Sequence, residues 1–274
     1  MFRAIPDLDS ATPLGPPRVH LLGHQISYSQ SPQMQEAGFR AAGLDWTYQI
    51  LDVSPGDLPA AMAAIHCPPV VGSNVTIPHK LAVIPHLDAL DPEAVAAGSV
   101  NTIVRDGDRL IGHNTDVVGI RRALTHVGLV DPVGRRVVVL GSGGSARAAA
   151  VASAGADQIF VARRPDEVPK GGHWVEWGSS ESSHWLATAD VVINATPLGR
   201  HEDLPVSMAQ LRAQGAVIDL VYIKGGTRFV RDAQAAGRRW ADGWDMLVWQ
   251  GAASFKIWTG LEAPETVMRA ALAT

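Results

Sequence analysis

The stretch Val137-Val138-Val139-Leu140-Gly141-Ser142-Gly143-Gly144-Ser145-Ala146-Arg147 constrains this chain most. Four apolar, mostly β-branched residues read as a strand buried on both faces. A glycine turn follows, then an alanine-rich run over 146–154 that reads as a helix. Gly141-x-Gly143-x-x-Ala146 fits the dinucleotide-binding pattern with alanine in third place. Glycine at 141 permits the tight turn, glycine at 143 lets backbone approach a pyrophosphate, and a small residue at 146 lets helix pack on strand. Ser142, Gly144 and Ser145 complete a turn whose N–H groups, at a helix N-terminus, suit phosphate oxygens. Many glycine turns bind nothing, but the strand–turn–helix context favours a cofactor site.

At 274 residues the chain is long enough for one large or two modest domains. Hydrophobic residues make up 46% and charged residues 18%, which supplies a core and excludes general disorder. A net charge of −4 offers no basic face for nucleic acid. The single cysteine, Cys67, excludes an internal disulfide and a multi-cysteine zinc site, and reads as a small packed residue. The histidines form no metal-ligand pattern. No apolar run is long enough to span a membrane, and the N-terminus lacks a secretory pattern. A cytoplasmic protein is expected.

Residues 1–17 hold four prolines and read as a loose tail. Residues 18–22 read as the first strand. A polar loop over 23–32 leads to a helix, with Ser31 as N-cap and Pro32 at the first helical position, that stops at Gly43. Residues 47–53 alternate like a strand, 58–65 form a short helix, and 70–78 a strand with a terminal turn. Lys80 opens a short helical stretch that Pro85 interrupts. Residues 100–105 and 109–113 bracket Asp106-Gly107-Asp108, a hairpin signal. A bridge helix over 116–127 leads to the glycine turn. Strands at 158–162, 191–194 and 216–219 follow, and helices over 246–260 and 264–272 close the chain. Residues 165–185, with two prolines, paired glycines and a serine cluster, read as an irregular surface segment. The alternation predicts an α/β fold, with an N-terminal α/β unit followed by a doubly wound parallel sheet.

The second strand of a dinucleotide unit ends near the adenosine ribose, where an acidic residue selects NAD. This chain has Arg163 and Arg164 there, which attract a 2′-phosphate and favour NADP. The alternative is a pair of solvated arginines. The segment Asn194-Ala195-Thr196-Pro197-Leu198-Gly199 ends a strand at the same sheet edge and borders the nicotinamide, or is an ordinary turn. Lys80 and Asp116 are candidates for proton transfer. Each taken singly is as readily a surface charge, and Asp116 a helix cap; His79 and His113 flank them and titrate nearer neutrality. Ser29 and Ser31 present two hydroxyls beside a helix start, which suits a carboxylate, or a simple cap.

Several motifs in one order extend this reading. They are Tyr28-Ser29-Gln30-Ser31-Pro32, Asn74-Val75-Thr76-Ile77-Pro78-His79-Lys80, Gly98-Ser99-Val100-Asn101-Thr102 and Asn114-Thr115-Asp116. After the glycine turn come Asn194-Ala195-Thr196-Pro197, Asp219-Leu220-Val221-Tyr222 and Met246-Leu247-Val248-Trp249-Gln250. From about residue 18 to residue 262 the chain resembles the shikimate dehydrogenases. The resemblance implies reversible NADPH-dependent reduction of 3-dehydroshikimate to shikimate, on the chorismate route to aromatic amino acids. It implies Lys80 and Asp116 as the catalytic pair and Ser29 and Ser31 on the substrate carboxylate. Thr76, Asn101, Tyr222 and Gln250 would hold its hydroxyls or ring. Thr196, Leu220 and Gly243 would join the glycine turn and the two arginines on the cofactor.

The resemblance also implies two domains. Residues 18–115 with 245–274 would bind substrate, and 116–244 would form a Rossmann-type NADP domain, in a monomer or homodimer. Tyr28 stands where the family usually has histidine, Gln35 where it often does, and Val117 where glycine is common. Arg163 replaces an asparagine and keeps the positive charge. The rivals are a paralogue acting on quinate or aminoshikimate, and a ligand sensor without turnover. A sensor would most simply lack Lys80 or Asp116, and both are present.

Overall fold

The structure is a computed structural model that describes residues 15–163, 168, 169 and 171–272. Arg164 and the tail up to residue 14 lie outside the described residues. The chain divides into two compact units. One takes the residues up to Asp91, Val100–His113 and those from Ser254 on; the other takes Pro92–Ser99 and Asn114–Ala253.

The first unit is built on a mixed six-stranded sheet. Its strands are β1 (Arg18–Gly23), β2 (Thr47–Asp52), β3 (Val70–Val75), β4 (Ala89–Leu90), β5 (Thr102–Asp106) and β6 (Arg109–His113), in the order β2-β1-β3-β5-β6-β4. β1 runs parallel to β2 and β3, and β5 runs antiparallel to β3 and β6. Helices α1 (Ser31–Ala41) and α2 (Leu58–Ile65) connect the parallel strands. Ser31 is the first helical residue rather than the cap; the cap position is Gln30, and no side chain caps the helix. Lys80 opens no helix. It lies in a turn over 77–83 that leads to a 3-10 turn, Ile84–His86. Proline at 85 has no N–H to give the Leu81 carbonyl, so an α-helix cannot run through it and only turns form.

In the second unit α3 (Pro92–Ala97) and α4 (Thr115–His126) precede a fully parallel sheet. The sheet holds β7 (Arg136–Leu140), β8 (Asp157–Ala162), β9 (Trp174–Glu176), β10 (Val191–Asn194), β11 (Ala216–Asp219) and β12 (Trp240–Ala241). Helices α5 (Gly144–Ala152), α6 (Ser180–Thr188) and α7 (Arg228–Ala235) connect them; α8 (Gly243–Thr259) belongs to this unit up to Ala253, and its remainder and α9 (Glu265–Ala271) belong to the first. The consecutive apolar residues of β7 divide between two cores. Val137 and Val139 face one with Ile120, Ala149 and Met246; Val138 and Leu140 face the other with Leu186 and Phe229. Both faces are covered, as a parallel sheet requires.

The segment over 165–185, expected to be irregular, is in part regular. It contains β9 and the start of α6, because the serine cluster caps a helix instead of breaking one: Ser179 Oγ accepts the Ser182 N–H at 3.0 Å. The helix after the glycine turn starts at Gly144, two residues earlier than its alanine run.

In the first unit α1 packs on α9, and Phe39, Tyr48, Phe255 and Trp258 fill one core cluster. Trp258 crosses β3 at Gly72 and donates from its indole nitrogen to the Ile103 carbonyl at 2.9 Å. A Cβ at residue 72 would sit 2.5 Å from Trp258 Nε1 and closer still to Ile103 O. Gly72→Ala is therefore expected to lower the stability of this unit by about 2–4 kcal/mol, through overpacking and loss of the indole hydrogen bond. Gly56→Ala, whose added Cβ would have only Ser54 Oγ near it at 3.9 Å, is expected to change it by less than about 1 kcal/mol. Urea denaturation followed by tryptophan fluorescence checks both.

Candidate functional site

The strand order β12-β11-β10-β7-β8-β9 grows outward from β7 in both directions, so the sheet switches direction between β7 and β10. Ligands of open α/β sheets bind outside the carboxyl ends of strands at such a point. Gly141 leaves β7 with φ +106°, and a Cβ there would lie 3.1 Å from Thr196 Cγ2 and 3.2 Å from the Ala195 carbonyl oxygen. The glycine turn thus rests on the loop after β10. At Gly143 an added Cβ would meet nothing within 4 Å, which leaves open space over the turn. α5 has no side-chain cap and no acidic residue in its first turn. That combination suits a diphosphate on the helix N-terminus. Arg163 is exposed just past β8, the strand beside β7.

The loop after β10 is held by a buried polar cluster. Asn194 Oδ1 accepts from the Thr196 hydroxyl at 2.6 Å and from the Thr196 N–H at 3.1 Å. Asn194 Nδ2 donates to Asp219 Oδ1 at 2.9 Å and to the Leu198 carbonyl at 2.9 Å. Asp219 also accepts from the Val221 N–H at 3.0 Å and from the Thr227 hydroxyl at 2.6 Å. Burial pushes the Asp219 carboxyl up to about 6; these three hydrogen bonds oppose the rise, and the Asp242 charge adds to it. Leu220 continues the segment, with its N–H on the Asn194 carbonyl at 3.0 Å. A Cβ at Gly243 would lie 2.5 Å from the Val221 carbonyl oxygen and 2.7 Å from the Tyr222 nitrogen. Glycine there lets the start of α8 touch backbone. Tyr222 packs on Trp244 with ring centroids 5.0 Å apart, and Trp244 Nε1 donates to the Ile223 carbonyl at 3.0 Å.

Asp116 is buried in the first turn of α4. The preceding Asn114 donates from Nδ2 to the Ser99 carbonyl and hydroxyl oxygens, each at 2.8 Å. Ser99 in turn donates to the Gly144 carbonyl at 3.3 Å. Asp116 shares a helix face with Gly119, where α4 meets α8: a Cβ at Gly119 would sit 2.6 Å from Met246 Sδ and 3.2 Å from Gln250 Cβ. Asp116 and Gln250 therefore ride on two helices in direct contact.

In the first unit the carboxyl end of β3 forms a tight turn. The Thr76 N–H donates to the Leu22 carbonyl at 2.8 Å and the His79 N–H to the Thr76 carbonyl at 2.8 Å. His79 Nε2 donates to the Val53 carbonyl at 2.7 Å, so this histidine anchors the turn. Half-buried Lys80 accepts the Val100 N–H at its own carbonyl, at 2.8 Å, which ties it to the segment carrying Asn101. His113 bonds Asp91 through Nδ1 at 2.9 Å. Ser29 Oγ accepts the Ser31 N–H at 3.3 Å and donates to Ser31 Oγ at 3.2 Å. The two hydroxyls converge at the start of α1, whose first turn holds no acidic residue.

Sequence reasoning gave no part to Asp219, Thr227, Tyr48, Thr102 or Ser254 as side chains. A threonine or serine carries no signal of its own; only the strand-end asparagines 74 and 194, polar residues closing apolar runs, hinted that partners were needed. Among the described residues no group of three or more His, Cys, Asp or Glu is placed to hold a metal ion, and no helix is long and apolar enough to cross a membrane.

A carboxyl raised in the fold from 3.8 to about 6 binds its proton more readily folded than unfolded. Its contribution to stability is then fully present below pH 3.8 and is lost as pH rises through about 6, a change of roughly 3 kcal/mol. Asp219→Asn has no such titration, so the variant is expected to gain on the parent between about pH 4 and 7.5. Paired urea melts at those two values check it; parallel behaviour of the two proteins would show that Asp219 does not titrate in this window.

A family model described as the shikimate dehydrogenase substrate binding domain matches residues 21–103. One described as the shikimate 5′-dehydrogenase C-terminal domain matches residues 243–273. The shikimate dehydrogenase (NADP(+)) of Moorella thermoacetica is 42% identical over 268 residues, covering 91% of this chain and 90% of its own. That of Geobacter metallireducens is 39% identical, covering 91% and 93%. The structure of shikimate 5-dehydrogenase from Thermus thermophilus in complex with NADP(H) and shikimate matches with a TM-score of 0.83 at 33% identity, over 94% of this chain and 98% of that one. With this identity along nearly its whole length, the chain belongs to the shikimate dehydrogenase family.

Proposed function

We propose that this protein is an NADP-dependent shikimate dehydrogenase, reducing 3-dehydroshikimate reversibly to shikimate on the chorismate route to aromatic amino acids. The observation that carries the reading is 42% identity to the Moorella thermoacetica shikimate dehydrogenase (NADP(+)) across 91% of the chain. It works in the cytoplasm, as a monomer or homodimer.

The cofactor's diphosphate fits the glycine turn at Gly141, Ser142, Gly143, Gly144 and Ser145, because Gly143 has open space above it and the start of α5 carries no acid. Thr196, Leu220 and Gly243 complete this side. Arg163 and Arg164 receive the 2′-phosphate, for which a guanidinium is suited as an acidic residue is not. When bound, NADPH supplies the hydride that reduces the substrate carbonyl carbon.

The remaining chemistry belongs to the chain. Ser29 and Ser31 hold the substrate carboxylate with paired hydroxyls at a helix start, where the dipole favours an anion. Thr76, Asn101, Tyr222 and Gln250 hold its hydroxyls and ring. Lys80 gives a proton to the carbonyl oxygen as negative charge develops there, and takes it back in the oxidative direction. Asp116 orients the Lys80 ammonium and a substrate hydroxyl. Positioning and charge stabilisation together lower the barrier.

Absorbance at the reduced-nicotinamide band tests this directly. Shikimate with NADP is expected to give rapid growth, and NAD or quinate little. Growth only with NAD or quinate would move the protein to a paralogue, and binding of shikimate without growth would make it a sensor. Lys80→Ala is expected to lower kcat by about 10²–10⁴-fold, and near-normal turnover would remove Lys80 from the mechanism. Arg163→Ala is expected to raise KM for NADP by roughly tenfold with little change for NAD; an equal change for both would deny it the 2′-phosphate.

A further inference from the structure

We infer that Asp219 is a positioning residue for cofactor binding, holding the Asn194 amide in the one orientation that seats Thr196 on the glycine turn. The inference rests on reading that turn as the seat of the cofactor's diphosphate. The orientation of an amide is set by partners that have only one role. The Leu198 carbonyl can only accept, and it takes Asn194 Nδ2 at 2.9 Å. The Val221 N–H can only donate, and it donates to Asp219 Oδ1 at 3.0 Å. Oδ1 is thereby fixed as an acceptor, and it takes the other Asn194 hydrogen at 2.9 Å. The second carboxylate oxygen faces a group that can change role, the Thr227 hydroxyl, at 2.6 Å.

With its NH₂ so placed, Asn194 turns its oxygen to Thr196. Oδ1 accepts the Thr196 N–H at 3.1 Å and the Thr196 hydroxyl at 2.6 Å. Both hydrogens and both lone pairs of the amide are then used. Reversed, the amide would set its NH₂ against the Thr196 N–H and its oxygen against the Leu198 and Asp219 oxygens. The Thr196 hydroxyl gives its proton to Asn194 and accepts the Leu198 N–H at 3.2 Å. With Oγ1 held, the other branch on the same Cβ is held too. That branch, Cγ2, stands 3.1 Å from where a Cβ on Gly141 would be. Asn194, Asp219 and Thr227 are buried, so bulk water does not stand in for any of these partners.

The methyl against the first glycine of the turn is thus placed by an oxygen on β11, two strands away from β7. The acceptor at Oδ1 carries this role, and the charge does not. An asparagine at 219 keeps an oxygen toward Asn194 and Val221 and sets its NH₂ toward Thr227, whose hydroxyl then accepts. A leucine has a similar shape and offers Asn194 nothing.

The experiment measures Kd for NADP and for shikimate by titration calorimetry in Asp219→Leu and Asp219→Asn, each alone and with Asn194→Ala. Asp219→Leu and Asn194→Ala are each expected to raise Kd for NADP about tenfold, with Kd for shikimate unchanged. Asp219→Asn is expected to recover the low Kd. In the Asn194→Ala background Asp219→Leu is expected to add nothing. An unchanged Kd for NADP in Asp219→Leu, the same rise with and without the Asn194 amide, or an equal rise for shikimate would overturn the inference. So would a rise in Asp219→Asn as large as in Asp219→Leu. Gly143→Asp tests the reading beneath it, because it puts an acid into the open space over the turn. It is expected to weaken NADP by about tenfold; an unchanged Kd would remove the turn from the cofactor site, and the inference with it. If Asp219→Leu does not fold, Thr196→Val keeps the methyl and loses the hydroxyl held by Asn194, and the same dependence on Asn194 decides the matter.

Discussion

A buried asparagine at the carboxyl end of a parallel strand carries two donors and an acceptor that water does not reach. Leaving one unmet costs about 1–3 kcal/mol, so the loop beyond the strand must take whatever course satisfies it. Asn74 imposes this in the first unit and Asn194 in the second. Asn74 fixes the segment at Asn101 and Thr102 beside the turn that carries Thr76 and Lys80. Asn194 fixes Thr196 and Leu198 against the glycine turn. The backbone around the proposed functional side chains is therefore set by side chains that need not touch any ligand.

Asp219 shows what such a cluster tolerates. Its carboxylate accepts from an amide, a backbone N–H and a hydroxyl, and so joins β10, the segment after β11 and the start of α7. An asparagine there would turn an NH₂ toward one of those donors. The fold retains an acid whose ionised form burial disfavours, because only a carboxylate offers acceptors on both oxygens.

The strands of the parallel sheet were legible because both faces are buried, which leaves runs such as Val137 to Leu140 without interruption. The elements that escaped are short or mostly polar. α3 has six residues, β12 has two, and α7 buries only Phe229, Val230 and Ala233 among eight. α6 hid behind a serine cluster whose role is capping. In the site, Lys80 and Asp116 were lone charges until the order of motifs supplied a family. The hydrogen bonds of Asn74 with Tyr48 and Thr102 were not legible at all, because the three residues come from β3, β2 and β5 and meet only through sheet register.

Asp116 lies in the first turn of a helix whose preceding residue, Asn114, is bonded to Ser99, and Ser99 is bonded to Gly144 in the first turn of α5. Two short side chains thus reference the start of α4 to the glycine turn. Gly119, on the Asp116 face of α4, accepts Met246 at a distance no side chain would allow, which fixes the same helix against α8. The carboxylate is located by the dinucleotide framework from two directions, whereas Lys80 is located by the mixed sheet through Val100. The proposed proton donor and its orienting acid take their coordinates from different frameworks.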